Sequence, residues 1–123
     1  MPRNERLDVR TREAIRIHGD DCVGLRIGIR AVDIVTRELA ISEDANRVKV
    51  RLGTKQCLGD AFKALLHLKD DQLEYADRDD IIHVTNGINK IELHLTQRKL
   101  RDTNDVLKAS ETELFPVIEK SSN

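Results

Sequence analysis

The chain's hydrophobic patterning predicts an α+β domain: one small, mainly antiparallel sheet, a buried central helix, and further helices packed on one face of the sheet. Three observations carry this expectation. Residues 22–40 are apolar on nearly every side except one narrow polar stripe. Residues 46–52 alternate apolar and charged side chains. Residues 80–96 read as two alternating runs around Asn86-Gly87.

Taken in order, residues 4–17 form a first helix. Asn4 can cap it, Leu7, Ala14 and Ile17 give its loose apolar stripe, and Gly19 ends it. In residues 22–40 the polar positions Arg26, Arg30, Asp33 and Arg37 fall at helical spacing, and Leu25, Ile27, Ile29, Val32, Ile34, Val35 and Leu39 fill the rest. A helix with so thin a polar face is buried on most sides, either at the centre of the domain or shared with a second subunit. Gly24 and Gly28 lie one turn apart on this helix. Glycine in a helix interior costs about 1 kcal/mol relative to alanine, so another backbone is expected to approach closely at that face.

Val48, Val50 and Leu52 alternate with Arg47, Lys49 and Arg51, the pattern of a half-buried strand. Gly53-Thr54 turns the chain into a helix over 57–68, striped by Ala61, Phe62, Leu65 and Leu68. Residues 72–76 are a candidate short strand. In the hairpin, Ile82 and Val84 precede the turn, and Ile91, Leu93 and Leu95 follow it in alternation with Glu92, His94 and Thr96. That pattern turns His83 and His94 outward on a common face. They could meet as a cross-strand pair, although solvated surface histidines are the simpler reading. Residues 102–123 are polar, weakly periodic and interrupted by Pro116. They are expected to form a weakly structured tail or a docking helix. The whole chain, 1–123, reads as a single domain without internal repeats.

Composition narrows the function. Of the 123 residues 35% are charged, with a net charge of -1 and no long basic block. Aromatic residues make up 2%. Neither a nucleic-acid footprint nor a stacking platform for bases is present. No apolar run reaches the length of a membrane span, and a charged stretch rather than an apolar one follows Met1. A cytoplasmic, reducing location is therefore expected. There, two cysteines are more often catalytic or metal-binding than disulfide-bonded. The Asp70-Asp71 and Asp77–Asp80 acids lack the ligand order of a calcium loop.

Those two cysteines are the chemical focus. Cys22 lies in His18-Gly19-Asp20-Asp21-Cys22-Val23-Gly24 at the start of the central helix, and Cys57 opens the next helix. A helix N-terminus offers unpaired N–H groups and positive potential, both of which favour thiolate. Asp20 or Asp21 can cap the central helix. Thiolate, imidazole and carboxylate are ligand types that zinc or another divalent transition metal accepts together, so His18, Cys22, Cys57 and one aspartate form a candidate site. Set against this, free cysteine often packs as a small core hydrophobe, and His18 can serve as a helix C-terminal cation.

The two cysteine segments also carry a family resemblance. His18-Gly19-Asp20-Asp21-Cys22-Val23-Gly24-Leu25-Arg26-Ile27-Gly28-Ile29-Arg30-Ala31 resembles the HGHxCPGLxxGxRA signature of the formylmethanofuran dehydrogenase E-subunit domain family. Cys57-Leu58-Gly59-Asp60-Ala61 is similar to that family's CxxDA element. The resemblance runs over roughly residues 10–97. It implies an α+β fold, a metal site between the two blocks and, commonly, a homodimer. His18, Cys22 and Cys57 keep the family's metal-associated types, and Asp60 keeps an acidic position. The second histidine of the signature is Asp20 here, which makes Asp20 the substitute fourth ligand, and its proline is Val23. The cysteine-rich zinc ribbon of longer members has no counterpart. The expected function is thus metal binding, as an accessory protein or a small metalloenzyme acting on a small-molecule substrate. A metal-free thiol redox protein and a non-catalytic interaction subunit with a decayed site are the alternatives.

Overall fold

The computed structural model describes residues 12–17, 19, 22–39, 47–53, 56–75, 80–97 and 99–122. The Asn4 cap and the first half of the N-terminal helix lie outside them, as do His18, Asp20 and Asp21. Residues 12–17 are helical (α1). Gly19, at φ +94°, donates its N–H to Ile15 at 2.8 Å and closes that helix. Then follow α2 (Val23–Leu39), β1 (Lys49–Leu52), α3 (Gln56–Leu66), a single 3₁₀ turn at Asp70–Gln72, β2 (Leu73–Tyr75), β3 (Ile81–Thr85), β4 (Asn89–His94), α4 (Thr103–Lys108), α5 (Glu111–Leu114) and β5 (Val117–Ser122).

The five strands form one sheet in the order β2-β1-β3-β4-β5. Only β1 and β2 run parallel, joined through α3 as a crossover; the other pairs are antiparallel. Val50, Leu52, Ile82, Val84, Ile91 and Leu93 are buried on one face, and α2 and α3 supply Leu25, Ile34, Leu58 and Phe62 to the same core. The chain is thus α+β, with its helices on one side of a mostly antiparallel sheet.

The hairpin turn differs in detail from the simplest reading of Asn86-Gly87. Asn86 pairs with Asn89, through Asn86 N–H to Asn89 O at 3.2 Å, so the two central residues are Gly87 and Ile88. Gly87 has φ +92° and Ile88 does not share a positive φ. Glycine at the first central position is the II′ arrangement, not the I′ turn that Asn-Gly favours. Asn86 Oδ1 accepts from the N–H groups of Ile88 and Asn89, and its amide donates to Leu39 O at 3.3 Å. The hairpin tip is thereby fastened to the C-terminal end of α2.

Residues 102–122 contain two capped helical turns and a strand, where the polar composition suggested a tail or docking helix. Asp102 caps α4 by accepting from Asp105 N–H, and Ser110 with Glu113 forms a capping box for α5. Arg30 Nη1 donates to Val106 O at 2.9 Å, and Arg37 grips Glu111 with two bonds of 2.7 and 3.0 Å. The polar stripe of α2 is therefore partly a docking surface for α4 and α5. Val106, Leu114 and Phe115 are buried beside it. Pro116 ends α5 and β5 begins, pairing with β4 from Asn89↔Ser122 to His94↔Val117. His67 lies just past α3 at φ +55°, where a helix terminates in the left-handed region, and not within the helix as its spacing suggested.

Candidate functional site

The site follows from how closely α2 and α3 approach. A Cβ at Gly28 would stand 2.7 Å from Ala61 Cβ and 3.2 Å from the Leu58 backbone, and one at Gly24 would stand 2.9 Å from Cys57 Cβ. The backbone expected opposite these glycines belongs to α3 of the same chain. With no side chains between them, the two helices bring their N-terminal ends together.

Cys22 occupies the N-cap position of α2. Its carbonyl accepts the first helical bond from Arg26 N–H at 3.0 Å, and its Sγ accepts from Leu25 N–H at 3.4 Å. The sulfur thus fills the acceptor role that sequence reasoning gave to Asp20 or Asp21. Cys57 is the second residue of α3. The ideal Cβ of Gly24 would be 3.7 Å from its Sγ, and Cys22 lies near enough to act on the Cys57 thiol. Neither cysteine is in a disulfide, and both are half-buried.

Their electrostatics depart from the simple helix-dipole expectation. Burial pushes the Cys57 thiol up from its ordinary pKa; Cys22 and the nearby Asp60 carboxylate push the same way. A second negative charge beside a first, out of water, costs more than the helix terminus returns. A divalent cation would invert that balance, since a coordinating thiol is deprotonated by the metal itself.

Around α3 stand groups that sequence reasoning did not place there. The Tyr75 hydroxyl covers Gly59 so closely that a Cβ at that position would overlap it. Burial raises the Tyr75 phenol, and Asp60 and Asp70 add to this, while Lys63 opposes it. The sequence marks Tyr75 only as the chain's single tyrosine. A cleft of about 340 Å³ is lined by Val23, Gly24 and Leu58, which follow the two cysteines within two residues, with Asp80, Gln97 and Lys99 among its polar groups. The loop after β4 that supplies Gln97 and Lys99 carries no motif that could have marked it. Of the four expected ligands, the structure brings Cys22 and Cys57 together; His18 and Asp20 are outside the described residues.

Fold and site together define a small α+β domain with paired thiols at two adjoining helix N-termini. Residues 17–77 match the model of the FmdE family, described as FmdE, Molybdenum formylmethanofuran dehydrogenase operon, and over these residues the chain is an FmdE-like domain. The match spans both cysteine blocks and the elements from α2 to β2; the hairpin, α4, α5 and β5 lie beyond it. Comparison with curated proteins gives no match. Among the described residues, no helix is long and apolar enough to cross a membrane.

Proposed function

We propose that this FmdE-like domain binds a divalent transition metal, zinc or a similar ion, through Cys22 and Cys57, with His18 and Asp20 completing the set. The observation that carries the reading is the contact between the two half-buried thiols at the α2–α3 crossing. Two sulfurs, one already accepting a backbone N–H, suit a thiolate-rich tetrahedral site. A metal with an open position supplies Lewis-acid chemistry, polarising a carbonyl or activating water. The adjoining cleft is at the lower end of the size that encloses small ligands, and its Asp80 and Lys99 give a substrate both a negative and a positive partner. The proposed role is an accessory protein or small metalloenzyme acting on a small molecule in the cytoplasm, where free thiols persist.

Homodimerisation belongs to the same proposal. The apolar faces of α2 are buried within one chain, with Leu25, Ala31, Val32, Ile34 and Val35 all inaccessible or nearly so. A dimer would therefore use another surface, and sedimentation of the purified protein tests it.

A second reading, a metal-free thiol redox protein, draws on the same sulfur contact. The raised Cys57 thiol counts against it, because redox cysteines act as thiolates.

Metal content by mass spectrometry on untagged protein tests the first reading, beside Cys22→Ser and Cys57→Ser variants. A fall of about one metal per chain or per dimer, from the parent to each variant, is the expected result. No metal in the parent after anaerobic loading with zinc or iron would overturn it.

A further inference from the structure

The outer face of the sheet holds a second group of metal-ligating side chains, on strands outside the matched FmdE segment. Register places Glu92 directly between His83 on β3 and Glu119 on β5. His94 follows two residues along β4 on the same face. One donor atom each from Glu92, His94 and Glu119 lie within 4.8 Å of one another. Glu92 Oε1 is 3.4 Å from His83 Nδ1, and its Oε2 is 3.8 Å from His94 Nε2.

Two features of this group need an explanation. Glu92 and Glu119 are direct cross-strand neighbours of like charge, an arrangement that destabilises a sheet. Among the described residues, no lysine or arginine pairs with either of them. The other feature is His94 Nε2, which is shielded from solvent and has no hydrogen-bond partner, although the side chain as a whole is 31% exposed. A shielded nitrogen left without a partner carries a desolvation penalty. A single cation between the carboxylates and Nε2 removes both costs.

We propose that Glu92, His94 and Glu119 bind a divalent first-row transition metal of the zinc class. Imidazole nitrogen with carboxylate oxygens is a donor set such ions accept, at bonds of about 2.0–2.2 Å. Closing from the present spacing needs movement of about 1 Å by the flexible glutamate ends. His83 lies outside the three ligands, where its imidazole can hold Glu92 in place. The bound ion clips edge strand β5 to β4, so its role is to secure the C-terminal strand. The site is separate from the thiol pair and stands or falls without it.

Cobalt(II) titration of the full-length Cys22→Ser/Cys57→Ser chain tests this. Visible d–d absorption saturating at one equivalent is expected, with no thiolate charge-transfer band. His94→Gln or Glu119→Gln should weaken binding by at least about tenfold, the cost of losing even an outer partner of a metal site. Cobalt should also raise the thermal midpoint and slow amide exchange in residues 117–122, and neither change should survive in the variants. If the double-serine chain does not fold, the same titration is made on the chain with both cysteines. There His94→Gln should remove one equivalent and leave the thiolate band intact. No cobalt bound by the double-serine chain in large excess overturns the proposal. So does uptake, in either background, that His94→Gln and Glu119→Gln leave unchanged.

Discussion

The α2–α3 crossing and the outer face of the sheet each gather metal-ligating side chains, by opposite means. At the crossing, Cys22 and Cys57 meet because two helices touch backbone to side-chain stub along Gly24 and Gly28. Their spacing is fixed by the packing that also buries Leu25, Ala61 and Phe62. On the sheet face, Glu92, His94 and Glu119 meet through strand register alone, and Glu119 stays exposed. The helix packing that sets the first site cannot be altered without disturbing the core. The second can be edited on the surface with little effect on the metal-free fold.

The largest expected effect breaks the crossing. Gly28→Val puts branched carbon against Ala61 and the Leu58 backbone, where neither neighbour has a flexible end that can yield. We expect a loss of about 3 kcal/mol, the upper part of the range for overpacking, read as a lower urea midpoint at unchanged slope. Metal binding at the thiols should fall with it. Gly28→Ala should cost less, because alanine's helix propensity returns about 1 kcal/mol. Glu119→Gln, in metal-free protein, should raise the midpoint slightly, because it removes the like charge that faces Glu92. Equal losses at the two sites would erase the contrast between them.

Alkaline pH sharpens the contrast next. Burial and Cys22 raise the Cys57 thiol in the folded chain, and burial raises the Tyr75 phenol. A folded pKa above the unfolded one means that the native state holds its proton longer. The stability that goes with each neutral group is complete below its unfolded pKa and is lost as pH rises through the folded one. Metal-free protein should therefore weaken as pH climbs past the ordinary thiol value of about 8.5, and again past about 10 as the phenol ionises. Urea midpoints across that window check this, and Cys57→Ser should remove the earlier part of the loss. Cys57 should also alkylate more slowly at neutral pH than a free thiol in the unfolded chain, and rapid alkylation would favour the redox reading.

Much of this arrangement is legible in the residues, and the failures have physical causes. Alternation in 46–52 and 80–96 located the central strands, since a half-buried sheet imposes a period of two. The Gly24/Gly28 pair announced a close backbone, because a helix interior tolerates two glycines only with such a return. What it could not announce is that the backbone is α3 and not a second chain. Helix-start position alone suggested thiolates, whereas the proximity of two cysteines and Asp60 that sets the Cys57 thiol is a tertiary fact. The polar stripe of α2 gave no sign of its partners, because the carbonyl and carboxylate that Arg30 and Arg37 meet lie more than seventy residues away. The capping box Ser110–Glu113 was the local sign that 102–122 holds structure.

A smaller effect tests the hairpin tip. A Cβ at Gly87, φ +92°, would meet only Arg47 Cβ at 4.0 Å, an ordinary contact, so Gly87→Ala is opposed by backbone strain alone. A cost of about 1 kcal/mol is expected, the lower figure for an L-residue held in that region. Thermal or urea unfolding would show it, with the metal-binding properties of the thiol pair unchanged. A change in those properties would mean that the tip, through Asn86 and Leu39, transmits to the other end of α2.

The smallest expected effect concerns the join between the matched segment and the rest of the chain. Arg37 on α2 and Glu111 on α5 form a bidentate pair, with side chains 46% and 34% exposed. Glu111 raises the Arg37 guanidinium further above its ordinary value, which leaves it charged at every accessible pH. Exposure and salt screening hold such pairs to about 0.2–1 kcal/mol, with good bidentate geometry toward the top of that range. Glu111→Ala should therefore lower stability by about 0.5 kcal/mol, and by less at high salt. Docking of α4 and α5 rests mainly on buried Val106, Leu114 and Phe115, so the variant should keep β5 paired to β4. Amide exchange along residues 117–122 decides the matter. Protection unchanged in Glu111→Ala and lost in Phe115→Ala places the hold of the C-terminal segment in its apolar contacts, and the reverse would place it in the ion pair.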